Sequence, residues 1–149
     1  MEININDANC DIYDRYKMER IIVSYTGQGK NSRTIINNLD NICVNIHTSP
    51  NLLLQYIGNS LGTNTITPNI IKGHYIVNNI QDIVYDFIHF LILCQKCCLP
   101  EVSSQVIINN KTKMLIIKCS ACGASYELVG NNKINSKLVS TMCKLYYNK

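Results

Sequence analysis

The sequence predicts an α+β chain: a small α/β domain with an antiparallel sheet and two or three helices, followed by a shorter β module that carries paired cysteines. Three observations carry this. Over residues 20–92, short β-branched runs alternate with apolar runs at helical spacing. After Leu93 the pattern changes to two Cys-x-x-Cys pairs that flank strand-like runs. The length, 149 residues, suits one ordinary domain or two very small ones and excludes a multidomain enzyme. A hydrophobic share of 46% against 16% charged excludes a disordered chain. The net charge of +4 permits contact with RNA or an acidic partner without requiring it. Asn and Ile are over-used, which reads as drift in nucleotide composition and not as function.

Residues 1–19 are polar, show no sustained period and read as an extended N-terminal arm. Arg20 to Thr26 is β-branched and aromatic, a strand. Gly27 to Ser32 is a turn, and Arg33 to Asn37 the returning strand of a hairpin. Leu39, Ile42, Cys43 and Ile46 share one face of a short helix, with Asn38 placed to cap it. Ser49-Pro50 reads as an N-cap followed by Pro at the first helical position, opening a helix to about Ser60 that buries Leu52, Leu53, Tyr56 and Ile57 and stops at Gly62. Thr63 to Thr67 and His74 to Val77 read as a strand pair around Pro68-Asn69. Asn79 would cap a helix over 80–92, where Ile80, Ile83, Val84, Phe87, Ile88 and Leu91 hold the strongest helical period in the chain. Domain boundaries follow: arm 1–19, α/β domain 20–92 ending in a linker helix, cysteine module 93–130 with strands at Gln105–Ile108, Met114–Lys118 and Ala124–Val129, and a Lys-rich tail 131–149 with loose helical spacing.

The N-terminus has no basic segment followed by an apolar one, so it is not a signal peptide. The run Ile83 to Cys94 is too short and too polar to span a bilayer. A soluble, cytoplasmic chain with no membrane contact is the expectation, and in a reducing compartment eight cysteines point to metal before disulfides. Cys94-x-x-Cys97 and Cys119-x-x-Cys122-Gly123 give two knuckles of two sulfurs each, and four thiolates are the donor set of a tetrahedral structural Zn²⁺. One structural zinc ion held by Cys94, Cys97, Cys119 and Cys122 is therefore expected, closing a zinc ribbon too small to stand on its own core. Four sulfurs leave no open position for water, which argues against a catalytic metal. Cys98 is read as a bystander and Cys43 as a core residue. Cys10 and Cys143 have no partner spacing. The phosphate-loop, dinucleotide-binding, zinc-protease and serine-hydrolase signatures are absent, and His47, His74 and His89 are scattered.

Several local strings together resemble a known family. Asp11-Ile-Tyr-Asp-Arg15-Tyr-Lys-Met18, Gly27-x-Gly29 with Thr34, Tyr56-Ile-Gly58-x-x-Leu61-Gly62, Tyr75-Ile-Val-Asn78, Leu93-Cys-x-x-Cys97 with Pro100-Glu101, and Cys119-x-Ala121-Cys122-Gly123 are similar to the N-terminal region of eukaryotic translation initiation factor 5, which is shared with the core of the initiation factor 2 beta subunit. The resemblance runs from about residue 3 to 145. It implies an α/β domain with a four-cysteine zinc ribbon. It also implies stimulation of GTP hydrolysis by the initiation factor 2 gamma subunit on the small ribosomal subunit, by a factor that is not a stand-alone enzyme. Arg15 matches the family's candidate arginine finger, and Arg33 stands where the family carries a lysine, as a supporting charge. The implied partners are the gamma subunit, the small ribosomal subunit, and initiator tRNA or mRNA; a monomer is expected. A beta-subunit-like module that binds without catalysing is the alternative. The beta subunit usually carries an apolar helix ahead of this core, and in eukaryotes Lys blocks; residues 1–19 show neither.

The sequence departs from the family around Arg15. Ile12 and Tyr13 replace a proline and an aromatic, Asp14 replaces a second aromatic and stands where a carboxylate competes for the guanidinium, and Glu19 replaces a proline. Gln55 takes the place of a second lysine. Lys96, Lys111, Lys113, Lys118, Lys133 and Lys137 gather in the last third and suit RNA contact. The family's C-terminal helical domain has no counterpart before Lys149, so the expectation is the front end of such a factor without its recruiting tail.

Overall fold

The computed structural model describes residues 2–9, 11–110, 112–130 and 132–147. Cys10 and Lys111 lie outside the described residues. The chain clusters into two units that divide between His89 and Phe90. No helix among the described residues is long and apolar enough to cross a membrane.

In the first unit, β1 (Glu2–Asn4) and β2 (Lys17–Glu19) pair antiparallel, Ile3 opposite Met18 and Asn4 opposite Lys17. The segment expected as an extended arm is therefore a closed loop on a two-stranded base. Its three-residue strands are too short to display a period, yet Ile5 and Met18 are buried. The base docks on α1 (Leu39–Ile46), where the Glu19 N–H donates to Asn45 Oδ1 at 3.1 Å. Asp7 is hydrogen-bonded to His89, so the loop is also tied to the end of the third helix.

Next come β3 (Val23–Thr26) and β4 (Arg33–Ile36), the hairpin that the β-branched runs predict. A one-turn 3₁₀ segment at Gly29–Asn31 fills the connection. Gly27 opens it at φ +77°, and a Cβ there would sit 2.0 Å from the Asn31 carbonyl oxygen, so no other residue fits. β5 (Thr65–Ile66) and β6 (Ile70–Lys72) complete a four-stranded antiparallel sheet in the order β3-β4-β6-β5. β6 lies earlier than the expected His74–Val77. The Ile70-Ile71 pair forms the strand, and Gly73 at φ +113° ends it. Paired residues share a face. Thr34 and Ile71, opposite one another, and Ile36 are fully buried, whereas Arg33 and Lys72 share the other face. Thr34 is a polar residue in the core because its Oγ1 donates to the Gly73 carbonyl at 2.8 Å and accepts the Tyr75 N–H at 3.1 Å.

The helices are α1, α2 (Pro50–Leu61) and α3 (Val77–Phe87). The second starts and stops where its sequence signals place it, with Pro50 in the first turn and Gly62 at φ +70° closing the C-terminus, although Ser49 at the cap position makes no side-chain cap hydrogen bond. It buries Leu54 and Gly58 besides the four expected residues. α3 starts at Val77, so Asn79 lies inside it and caps nothing. Its period continues through a wider five-residue turn at Ile88–Ile92. Tyr56 and Phe87 meet edge to face at 5.2 Å between α2 and α3.

Asn38 occupies the cap position of α1 without capping it. Its side chain is 8% exposed and turns to the preceding chain: Oδ1 accepts the Ile22 N–H at 3.0 Å, and Nδ2 donates to the Arg20 carbonyl at 2.8 Å and to Glu19 at 3.2 Å. Gln81 on α3 accepts the Ile21 N–H at 3.0 Å. Two buried amides thus hold the segment that joins the two sheets of this unit.

In the second unit, β7 (Val102–Asn109), β8 (Thr112–Cys119) and β9 (Ser125–Glu127) form a three-stranded antiparallel sheet. The polar tail is a helix, α4 (Lys133–Tyr147), that packs on β7 and β8. Asn132 caps it by accepting the Asn135 N–H at 2.8 Å. Leu138 and Met142 on the helix and Leu115 and Ile117 on β8 are buried.

Candidate functional site

The cysteine site is built from two short loops. In the first, the Cys98 N–H donates to the Cys94 carbonyl at 2.9 Å, the Cys94 N–H to the Leu99 carbonyl at 3.0 Å, and the Lys96 N–H to the Cys94 sulfur at 3.3 Å. In the second, the Gly123 N–H donates to the Cys119 carbonyl at 3.0 Å, with Gly123 at φ +77°. The β7–β8 register sets Cys119 opposite Val102 and brings the second loop to the first.

All four sulfurs then lie within 4.8 Å of one another, with Cys94–Cys122 at 3.7 Å and Cys97–Cys119 at 3.6 Å. A tetrahedron with metal–sulfur bonds of about 2.3 Å has edges of about 3.8 Å, so the donor set matches a zinc-sized ion. A disulfide needs sulfurs about 2.0 Å apart, and all four thiols are free. Loss of water raises the Cys94 thiol, but the N–H groups of Cys97 and Lys96 and the adjoining thiols outweigh it and hold the group at about 7. The Leu99 N–H lowers Cys97, yet loss of water and its three sulfur neighbours push it up to about 12. One sulfur ionises readily and its neighbour resists, as expected of acidic groups crowded together. These four cysteines could hold a metal ion. Cys98 is exposed and outside the cluster, Cys43 is a core residue as expected, and Cys143 is buried.

Arg15 stands elsewhere, on the loop between β1 and β2, and is exposed. Its guanidinium lies 5.1 Å from the centre of the Tyr16 ring, and among the described residues no carboxylate pairs with it. Asp14 does not compete for it: its carboxylate accepts the Asn9 side-chain amide at 2.9 Å and the Tyr16 N–H at 3.1 Å. Arg33 is half-buried in β4, in the other sheet, between Thr26 and Lys72. The four cysteines are thus brought together, whereas Arg15 lies on the loop of one sheet and Arg33 in a strand of the other.

The sequence does not reveal Asn4 and Lys17 as parts of the loop. They face each other across β1 and β2. Asn4 Nδ2 donates to the carbonyls of Asn9 at 2.8 Å and Asp11 at 2.9 Å, and Lys17 donates to Asn4 and, at 3.2 Å, to the Ile12 carbonyl. The Asn- and Asp-rich composition was the available signal, since these side chains close turns on their own backbone.

The family described as a domain found in initiation factors 2B and 5 matches residues 6–125. Eukaryotic translation initiation factor 5 of Caenorhabditis elegans is 31% identical over 97% of this chain and 34% of its own length. The factor 5 of Saccharomyces cerevisiae is 31% identical over 91% of this chain and 34% of its own. Translation initiation factor 2 subunit beta of Archaeoglobus fulgidus is 28% identical over 81% of this chain and 86% of its own length. The chain spans about a third of the factor 5 relatives that it matches. With its α/β sheet, its four-cysteine ribbon and these matches, the chain belongs to the domain family of translation initiation factors 2B and 5.

Proposed function

We propose that the chain acts as an initiation factor of the factor 5 type and stimulates GTP hydrolysis by the initiation factor 2 gamma subunit through Arg15, in trans. The observation that carries this reading is an exposed guanidinium with no carboxylate partner among the described residues, on a loop whose backbone is already tied down. In the nucleotide site of another protein, such a group neutralises charge developing on the transferred phosphate, an effect worth roughly 10³–10⁵-fold in rate. Its planar fork suits phosphate oxygens better than an ammonium does. Arg33 supplies supporting positive charge. The small ribosomal subunit and initiator tRNA or mRNA are the further partners, in the cytoplasm. The cysteine cluster takes one zinc ion, which supplies folding energy to the ribbon and no chemistry.

The test is phosphate release from GTP-loaded initiation factor 2 with initiator tRNA on small subunits. The wild-type chain speeds it, and Arg15→Ala abolishes the stimulation while binding is retained. Equal stimulation by the variant removes Arg15 from the mechanism.

One observation favours a second reading. The match to the archaeal beta subunit covers 86% of that protein's length, which suits a binding module without catalysis. Stable co-purification with the gamma subunit, with no effect on hydrolysis, would put this reading first.

A further inference from the structure

The loop that carries Arg15 also carries Ile12 and Tyr13, at 75% and 85% exposure the two most exposed large apolar side chains among the described residues. Scattered exposed apolar residues are ordinary, but two adjacent ones at the tip of an ordered loop are not. The order is local and dense. Asn4 holds the carbonyls of Asn9 and Asp11, Lys17 holds that of Ile12, and Asp11 Oδ1 accepts the Tyr13 N–H at 2.9 Å. Asn4, Asn9, Asp11, Asp14 and Lys17 are hydrogen-bonded within the loop and its base, while Ile12 and Tyr13 face solvent.

We propose that Ile12 and Tyr13 are the anchor by which this loop docks on the GTPase, seating in an apolar depression of the GTP-loaded gamma subunit beside its nucleotide. This rests on the reading of Arg15 above and names the surface that positions it. Tyr13 and Arg15 are two residues apart, so their Cα atoms lie within about 7 Å, and the seat must adjoin the phosphates. The occupant follows from Arg15: a guanidinium with no carboxylate partner among the described residues is complementary to phosphate, and two exposed apolar side chains beside it are complementary to a protein surface, so the loop suits a protein that holds a nucleotide. Because the loop is ordered before contact, docking costs little further conformational entropy, and the anchors act as the small hot spot that such interfaces use. Arg15 is the catalytic residue of this reading; Ile12 and Tyr13 are positioning residues.

The experiment titrates the full chain against gamma subunit loaded with a non-hydrolysable GTP analogue, then measures hydrolysis with GTP. The Ile12→Ala/Tyr13→Ala double variant should bind about 10- to 100-fold more weakly than wild type and still reach the wild-type rate at saturation. Arg15→Ala should keep its affinity and lose the rate. Ile12→Leu/Tyr13→Phe should restore binding, which a general loss of structure would not allow. A double variant that binds as wild type does overturns the anchor and leaves the role of Arg15 standing. A wild-type chain that does not bind the loaded subunit overturns both.

Discussion

Replacing Asn38 by Asp separates two roles for one residue. As a helix cap, Asn38 would tolerate Asp with almost no change, because the two are equivalent at that position. In the fold it is a tether: Oδ1 takes the Ile22 N–H, and Nδ2 gives its two hydrogens to the Arg20 carbonyl and to Glu19. Asp keeps the acceptor, loses both donors and sets a second carboxylate beside Glu19. One neutral hydrogen bond is worth about 1 kcal/mol and one to a charged group about 1.5–3 kcal/mol, so Asn38→Asp should cost about 3 kcal/mol. Urea unfolding of the zinc-loaded chain, followed by far-UV circular dichroism, should show a midpoint lower by about 1–3 M. Hydrogen exchange adds a local check, since the Ile22 amide should stay protected in Asn38→Asp and lose protection in Asn38→Ala. An Asp variant whose midpoint matches wild type would refute the tether and return the residue to a cap.

Two further predictions follow from the thiols. Metal analysis should find one zinc per chain. Chelation, or Cys97→Ser, should unfold β7–β9, because a four-cysteine zinc site contributes about 10–16 kcal/mol to folding; a metal-free chain with an unchanged β signal would exclude the structural ion. At Cys43, burial and then the charge of Asp40 push the thiol from 9.0 up to about 12. The unfolded chain releases this proton above pH 9 while the native chain keeps it, so the contribution to stability is complete below pH 9 and lost as pH rises towards 12. Cys43→Val should lose stability less steeply than wild type across that range in urea titrations, and parallel slopes would reject the assignment.

Much of the architecture was readable from residue order. The cysteine cluster was the clearest part, because two sulfurs separated by two residues share one tight turn and no packing is needed to recognise them. α2 was equally plain, since Pro50 and Gly62 act on their own backbone. The start of α3 was misjudged because Asn79 is a good capping residue in isolation, whereas the helix begins at Val77. β6 was misplaced because Ile70-Ile71 is too short a run to stand out beside His74–Val77. The loop bearing Arg15 reads as an extended arm in the sequence because its strands hold three residues each.

Residue order alone was enough for the family and the cysteine quartet, because these depend on spacing along the covalent chain. It could not say that Arg15 sits on a closed loop, that Asp14 is already occupied, or that Asn38 and Gln81 hold the segment between the two sheets. Those outcomes depend on partners as far as 60 residues apart, such as Gln81 and Ile21. A side-chain amide has several hydrogen bonds open to it, and burial leaves only those whose partners the packing brings within reach.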